Sequence, residues 1–267
     1  NNGLKNASGT YICFVDSDDW IEKDYCKILL EHIISNNCDL VMCGYITCFS
    51  RNHTIPDSNN LKRFITHKEI FESIKDYKNV KSNILRNNVV CKLFKKNIIN
   101  KNNIEFTKNL RIGEDLLFIL EYQKHTNLAL NIPDKLYYIN RNNNNTSMTA
   151  SYVKNYWEDL VLVKKKTFEI NKDIVNYTDE YKYYQYINVA TKAILEEGKL
   201  NNGKKLIEKY KSIKELCNKK EVRHFCTHYK LQNEKNTFYH LLKKLTTLNL
   251  PFVLVTLITC AYKFKII

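Results

Sequence analysis

The sequence predicts an α/β protein whose N-terminal half alternates strands and helices and whose C-terminal half is helical. Apolar residues run without a break over residues 11–15, recur at helical spacing over 24–36 and run again over 40–49. That strand, helix, strand order is typical of a parallel βαβ unit. From residue 151 onward, apolar residues recur three or four positions apart over long stretches, as they do in amphipathic helices.

Composition supports a globular protein with a substantial core. The chain has 267 residues and a mass of 31.7 kDa, and 44% of its residues are hydrophobic. Only 6 Gly and 3 Pro are present, which excludes collagen-like chains and most disordered classes. The size fits one large domain or two small ones.

The net charge of +14 favours anionic partners such as nucleic acid, anionic membranes or phosphorylated substrates, without choosing among them. The Lys, Asn and Ile richness could equally reflect nucleotide bias of the genome. No RNP, KH or zinc-finger pattern accompanies the charge. We therefore expect no nucleic-acid partner, although a basic nucleic-acid-binding protein remains an alternative.

The N-terminal elements follow one another closely. Residues 51–61 form a loop, and Thr66 to Glu69 is a capping-box pattern that opens a helix through residue 77. A short strand or turn over 89–95 comes next. It is followed by a helix over 114–125, and then by two short strands over 128–132 and 136–139, on either side of Pro133.

The C-terminal half predicts helices over 152–170, 179–197 and 204–219. Gly198 and Gly203 mark two of their boundaries. The boundary near residue 148 divides the chain into domains 1–148 and 149–267. The apolar run over 251–261 is too short for a membrane span, which needs roughly 20 residues. Flanking lysines leave two readings open: an interfacial membrane anchor, or a helix packed on the core.

Nine cysteines are scattered along the chain without a CxxC spacing. This usage predicts a reducing cytoplasm and no disulfide framework. His224, Cys226 and His228 fit no strong zinc pattern.

Three carboxylates, Asp16, Asp18 and Asp19, come directly after the first predicted strand. Ligands bind at the carboxyl ends of strands in open α/β sheets. Carboxylates so close together repel one another unless a cation neutralises them, and Mg²⁺ or Mn²⁺ prefers such oxygen ligands. The competing reading is a solvated acidic turn before a helix.

The surrounding sequence closely resembles the family 2 glycosyltransferases over residues 1–20, which end in Phe-Val-Asp-Ser-Asp-Asp-Trp. Further pieces resemble the family in order and spacing. They are Cys38-Asp39-Leu40-Val41, Cys91-Lys92-Leu93-Phe94-Lys95, Gly113-Glu114-Asp115-Leu116-Leu117 and Tyr138-Ile139-Asn140-Arg141. The resemblance covers roughly residues 1–150.

The resemblance implies the GT-A fold, a Rossmann-like, mostly parallel sheet with flanking helices, here lacking its first strands and followed by a helical region. It implies sugar transfer from a nucleotide-diphosphate sugar to an acceptor hydroxyl with inversion. The setting it implies is cell-surface polysaccharide or lipopolysaccharide synthesis. We expect a cytoplasmic protein with peripheral contact at the inner face of the cell membrane.

Site residues follow from the same resemblance. Asp16 and Asp18 match the DxD motif and would hold Mn²⁺ or Mg²⁺, and Asp115 matches the catalytic base. The remaining candidates are Glu114 beside the base and, for donor binding, Asp19, Gly3, Lys92 and Arg141.

Family members carry further sequence before this motif, so we expect the chain to be an N-terminally truncated fragment that is inactive alone. A catalytically silent glycosyltransferase-like module is therefore a further alternative. An aspartyl phosphohydrolase is disfavoured, because Asp19 and Trp20 follow the second aspartate where such sites usually have a small residue and threonine.

Overall fold

The computed structural model describes residues 1–50, 52–58, 61–76, 84–141, 152–228 and 237–263. The chain divides into two compact units, Asn1–Asn144 with Glu169–Val175, and Asn145–Phe168 with Asn176–Ile267. The domain boundary proposed at residue 148 lies outside the described residues.

The elements follow in chain order. The strands are β1 (Tyr11–Cys13), β2 (Trp20–Ile21), β3 (Leu40–Ser50), β4 (His53–Pro56), β5 (Arg63–Thr66), β6 (Lys92–Lys95) and β7 (Leu128–Asn140). The helices between them are α1 (Asn2–Asn6), α2 (Tyr25–Ser35), α3 (His67–Lys75), α4 (Lys96–Lys101) and α5 (Glu114–Gln123). The later helices are α6 (Tyr156–Ile170), α7 (Asp179–Gly198), α8 (Leu206–Asn218), α9 (Lys220–His228), α10 (Thr237–Thr247) and α11 (Pro251–Lys263).

Within the described residues, the seven strands form one mixed sheet in the order β1-β6-β3-β7-β2, with β4 beside β3 and β5 beside β7. The α/β class is confirmed, but only β3 and β7 pair in parallel among the named strands. β1 and β3 run in the same direction, as predicted, yet β6 lies antiparallel between them. The family resemblance implied a mostly parallel sheet, whereas the observed sheet is mixed. Hydrophobic patterns identify strands but not their neighbours, so they could not correct this expectation.

Helices α2 and α5 cover opposite faces of the sheet. Successive side chains of a strand point to opposite faces, and two neighbouring residues of β6 contact the two helices. On β6, Leu93 packs in the cluster that contains Tyr25 and Leu29 of α2. The next residue, Phe94, meets the ring of Phe118 on α5 edge to face, with ring centroids 5.8 Å apart. The sheet is therefore buried on both faces at strand β6.

Four strands differ from the prediction: β2 and β5 were not predicted at all, and β4 and β7 depart from the predicted boundaries. β4 lies inside the predicted loop and pairs antiparallel with β3. β7 runs through Pro133 as one strand, with its register to β3 shifted around Gly44. A Cβ at Gly44 would lie 2.5 Å from Cδ of Lys135. Proline is tolerated at such an irregularity because a donor is not needed there.

The second unit has its own helical core. Its buried cluster includes Ile187 and Ile194 of α7, Ile213 of α8 and Ile258 of α11. A Cβ at Gly198 would lie 2.3 Å from Cγ2 of Ile258, so glycine is required where α11 approaches the end of α7. The three predicted helices are present as α6, α7 and α8, and Gly203 takes the left-handed conformation (φ +71°).

Helix α11 covers the apolar run for which the sequence left two interpretations open, a membrane anchor or a helix packed on the core. Its inner residues Leu254, Val255 and Ile258 are buried, whereas Phe252 is 71% exposed. No helix among the described residues is long and apolar enough to cross a bilayer.

Candidate active site

A cluster of aromatic rings fixes the end of β1, where the candidate site begins. Phe14 forms a parallel bridge with Val90. Its ring meets Phe94, Phe106 and Phe118 edge to face, with centroids 5.4 to 5.7 Å apart. After Phe14 the chain turns, and the Asp19 N–H donates to the Asp16 carbonyl at 3.1 Å. The turn therefore starts from a rigid position in the core.

This turn brings together the three predicted carboxylates. One oxygen from each of Asp16, Asp18 and Asp19 lies within 4.8 Å of the other two. Oxygen ligands on opposite sides of Mg²⁺ are about 4.2 Å apart, twice the metal–oxygen distance. The residues present therefore fit a hard divalent cation, which prefers carboxylate ligands.

Strand β7 holds the triad from the other side. The Tyr137 hydroxyl accepts the Asp16 N–H at 3.0 Å and also hydrogen-bonds the Asp19 carboxylate. The Asn140 N–H donates to Oδ1 of Asp19 at 2.8 Å. Burial, more than the neighbouring carboxylates, raises the pKa of Tyr137, so its hydroxyl stays protonated and can donate.

The pKa of Asp16 is raised above its ordinary value. Burial raises the pKa of Asp16 most, and the charges of Asp19, Asp115 and Asp18 raise it further, while Arg141 lowers it. Asp115 and Arg141 are thus close enough to Asp16 to interact electrostatically, although both are distant in sequence. Such crowding of negative charge at one site is what a bound cation would relieve.

Asp115 stands in the first turn of α5, after Gly113 at the N-cap. Gly113 is left-handed (φ +81°), a conformation that glycine adopts without steric cost. Oδ2 of Asp115 accepts the Val89 N–H at 3.2 Å. Burial raises the pKa of Asp115, the Val89 N–H lowers it and the charge of Glu114 raises it again. A raised pKa makes this carboxylate a better proton acceptor once it is ionised.

Glu114 sits differently from its neighbour. Its Oε2 is buried and finds no hydrogen-bond partner within the described residues. It acts on Asp115 through its charge.

Lys92 is fully buried, which differs from the donor contact predicted for it. Its Nζ donates to the carbonyl of Asn88 at 2.5 Å, to Oδ1 of Asn88 at 2.6 Å and to the carbonyl of Val90 at 3.4 Å. Burial lowers its pKa to about 7. It therefore secures the segment whose Val89 N–H binds Asp115, rather than facing solvent where a phosphate could reach it.

The other two predicted donor residues have contrasting surroundings. Arg141 is exposed at the end of β7 and lowers the pKa of Asp16. Gly3 lies in the short helix α1, and a Cβ there would meet nothing within 4 Å among the described atoms. Nothing in this backbone requires glycine at position 3.

Sequence reasoning missed the two groups that position the carboxylates, namely the Tyr137 hydroxyl and the Val89 N–H. The tyrosine of the Tyr-x-x-Arg motif is Tyr138, and that ring stacks on Trp20 with centroids 5.5 Å apart. The adjacent Tyr137 points to the opposite face and binds the turn. Strand alternation was a usable signal for this, but a backbone donor leaves no signal in a sequence.

Known proteins resemble this chain in sequence and in fold. Residues 1–102 match the family model described as glycosyl transferase family 2. The structure of S. aureus TarS 1–349 in complex with UDP superimposes with a TM-score of 0.52 at 16% identity, covering 99% of this chain and 70% of that chain. A second TarS structure, in complex with UDP-GlcNAc, gives a TM-score of 0.51 over 99% of this chain and 71% of that one. Residues 1–102 therefore resemble glycosyltransferase family 2, and the chain has the GT-A fold of the TarS structures.

Two curated relatives are similar in sequence. The poly(ribitol-phosphate) beta-N-acetylglucosaminyltransferase TarP of Staphylococcus aureus (strain N315) is 27% identical over 76% of this chain and 59% of its own length. The uncharacterized glycosyltransferase EpsJ of Bacillus subtilis (strain 168) is 28% identical over 54% of this chain and 41% of its own. The chain thus spans about half the length of these relatives.

Proposed function

We propose that the protein carrying this chain transfers a sugar from a nucleotide-diphosphate sugar to an acceptor hydroxyl, with inversion at the anomeric carbon. The observation that carries the proposal is that the aspartate triad lies close enough to Asp115 for the charge of Asp115 to raise the pKa of Asp16. One group fits a diphosphate-bound cation and the other fits a general base. The match of residues 1–102 to the glycosyl transferase family 2 model supports the same chemistry.

In the proposed reaction, the acceptor oxygen attacks the anomeric carbon as the bond to the diphosphate breaks. Asp115 takes the proton of the attacking hydroxyl, and the Val89 N–H keeps its carboxylate oriented. A divalent ion held by Asp16 and Asp18, when bound, would neutralise charge on the leaving diphosphate. Arg141, which is exposed nearby, would add positive charge on the donor side.

The setting we propose is polysaccharide assembly at the inner face of the cell membrane. The name of the relative TarP describes transfer onto a poly(ribitol-phosphate) chain, and the TarS complexes contain UDP and UDP-GlcNAc. These findings make UDP-GlcNAc the first donor to test. The membrane contact would use the exposed end of α11, where Phe252 projects.

The test uses the complete gene product that carries this chain, with Mn²⁺ and a panel of nucleotide sugars. We expect metal-dependent release of nucleoside diphosphate that falls at least about 100-fold in Asp18→Asn and in Asp115→Asn. Asp24→Asn is the matched control, because Asp24 is exposed and its side chain makes no cap hydrogen bond. NMR of the product would show the inverted anomer.

Two results would contradict the proposal. Retention of the anomeric configuration would exclude a single displacement with Asp115 as base. A folded protein that binds no nucleotide sugar and releases no diphosphate would favour the catalytically silent module.

A further inference from the structure

The helical unit contains a polar cavity that the proposed transfer does not use. It lies among the start of α6, the end of α7 and the middle of α8 and has a volume of about 230 Å³. Liquid water occupies about 30 Å³ per molecule, so the cavity holds a small ligand but not a nucleotide sugar. Prominent lining residues are Tyr152, Trp157, Glu197, Lys204, Ser212 and Glu215.

One wall of the cavity is a closed hydrogen-bond network. Nζ of Lys204 donates to Oγ of Ser212 at 3.0 Å, to the Tyr152 hydroxyl at 3.2 Å and to the Glu197 carboxylate. The Tyr152 hydroxyl donates in turn to Oε1 of Glu197 at 2.8 Å. All three ammonium protons of Lys204 are engaged, so this wall is organised before any ligand arrives.

The charges that line the cavity balance. Three lysines and three glutamates contribute to it: Lys154, Lys204, Lys219, Glu158, Glu197 and Glu215. Lys204 pairs with Glu197, and Lys219 pairs with Glu158 at 3.2 Å. An anion would gain little from Lys204 and Lys219, which are already paired, and would meet three glutamates against the one remaining lysine. The site therefore suits an uncharged ligand.

Unused polar groups and aromatic rings complete the lining. Lys154, Asn155 and Glu215 show no side-chain hydrogen bond or ion pair within the described part of the chain, and together they offer donors and an acceptor. The rings of Tyr152 and Tyr156 border the same space. Sugar hydroxyls both donate and accept, and the C–H face of a sugar ring packs on aromatic side chains.

We propose that this cavity binds one uncharged sugar unit, such as a terminal or internal residue of a neutral glycan. The proposal rests on the lining alone and does not require the catalytic assignment. It gives the helical unit a binding role of its own.

Ligand-observed NMR on the full chain would test this with neutral monosaccharides, with inorganic phosphate as the anionic probe. The chain would carry Asp18→Asn so that the candidate active site is weakened. We expect saturable binding of at least one neutral sugar and no competition by phosphate. Tyr152→Phe and Glu215→Gln should each weaken binding at least tenfold.

Tyr210→Phe is the matched control, since Tyr210 lies on α8 but not in the cavity lining, and it should bind as the parent does. Thermal melts confirm that each variant is folded. Absence of sugar binding in the parent chain would overturn the proposal, as would phosphate competition or unchanged affinity in both cavity variants. None of these outcomes depends on donor cleavage, so failure here is distinguishable from failure of the proposed transfer.

Discussion

Asp115 illustrates how a buried carboxylate in the candidate site lowers the stability of the fold when it is ionised. Burial raises its pKa above the ordinary value of 3.8, so the folded state favours the protonated form. Its contribution to stability is therefore fully present below the ordinary pKa and is lost as the pH rises through the raised pKa. At neutral pH the ionised carboxylate destabilises the fold while serving as the proposed base.

Asp115→Asn should consequently raise the melting temperature at pH 7 while abolishing transfer. Each unit by which the pKa was raised corresponds to about 1.4 kcal/mol. The difference from the parent should shrink as the pH falls through the raised pKa, because the parent carboxylate then becomes protonated as well. Thermal melts of both proteins across pH 4 to 8 would check this, and a variant that is less stable at pH 7 would contradict it.

Lys92 affects Asp115 from inside the protein. Its charge lowers the pKa of Asp115, so Lys92→Met should raise that pKa and move the acid limb of the rate profile to higher pH. Lys27→Met, at an exposed position, should leave the limb in place. A pH profile of turnover measures the shift, and a profile identical to the parent would exclude this role.

Stability gives a second readout for Lys92. Its pKa falls from 10.5 to about 7 on burial. Between these values the unfolded chain binds the proton and the folded chain does not, so folding stability gains with rising pH. The parent should gain this stability from pH 7 toward 10.5 relative to Lys92→Met, as measured by denaturant titration at each pH.

At the scale of elements, the end of β7 decides the geometry of the aspartate turn. Tyr137 and Tyr138 are consecutive but point to opposite faces. Tyr137 binds the Asp16–Asp19 turn, and Tyr138 hydrogen-bonds Glu22 and stacks on Trp20. The same strand therefore holds the site and covers the segment that leaves it.

Tyr137→Phe should weaken Mn²⁺ binding about fivefold, because a lost hydrogen bond costs about 1 kcal/mol and frees the turn. Tyr138→Phe is the matched control and should retain the parent's affinity. Isothermal titration with Mn²⁺ provides the comparison. Equal losses in both variants would mean that the strand, rather than the Tyr137 hydroxyl, sets the affinity.

Helix α3 shows a local signal that was sufficient by itself. The predicted capping box is present: the Glu69 N–H donates to the Thr66 hydroxyl oxygen at 3.4 Å, and the Thr66 N–H donates to Glu69 at 2.8 Å. Thr66→Ala should cost about 1 kcal/mol of unfolding free energy, whereas Thr66→Ser should be close to neutral. Urea denaturation would distinguish the two variants.

At the scale of the whole molecule, the positive charge is concentrated in the C-terminal part. Residues 145–267 contain 22 Lys and Arg against 12 Asp and Glu, whereas residues 1–144 contain 20 against 16. The lysines predicted to flank the C-terminal apolar run do not all face solvent. Lys243 is buried with its Nζ 4.6 Å from the ring centroid of Tyr184, and Lys265 lies outside the described residues.

If the exposed end of α11 contacts the membrane as proposed, Phe252→Ser should weaken sedimentation with anionic phosphatidylglycerol vesicles. The helical unit should stay folded, because Phe252 is exposed. Removing an exposed phenylalanine that inserts into lipid costs about 1 to 2 kcal/mol, or roughly tenfold in binding. Leu61→Ser is the control, because Leu61 is also highly exposed but lies in the first unit. Unchanged sedimentation of Phe252→Ser would remove α11 as the membrane contact.

Local patterns in the sequence were enough to predict the capping box, the aspartate and Glu-Asp motifs, and six of the named helices, α2, α3, α5, α6, α7 and α8, but not α1, α4, α9 or α10. Each depends on residues that are neighbours along the chain, where spacing alone predicts which side chains share a face. Resemblance to a family added the fold and the roles of Asp16, Asp18 and Asp115, and those roles remain proposals.

Only the tertiary structure decided which distant segments meet. It placed β6 between β1 and β3, buried Lys92, and brought the Tyr137 hydroxyl to the aspartate turn and the Val89 N–H to Asp115. These contacts join residues 26 to 121 positions apart. They depend on strand order and on backbone donors, and neither leaves a periodic trace in the amino-acid sequence.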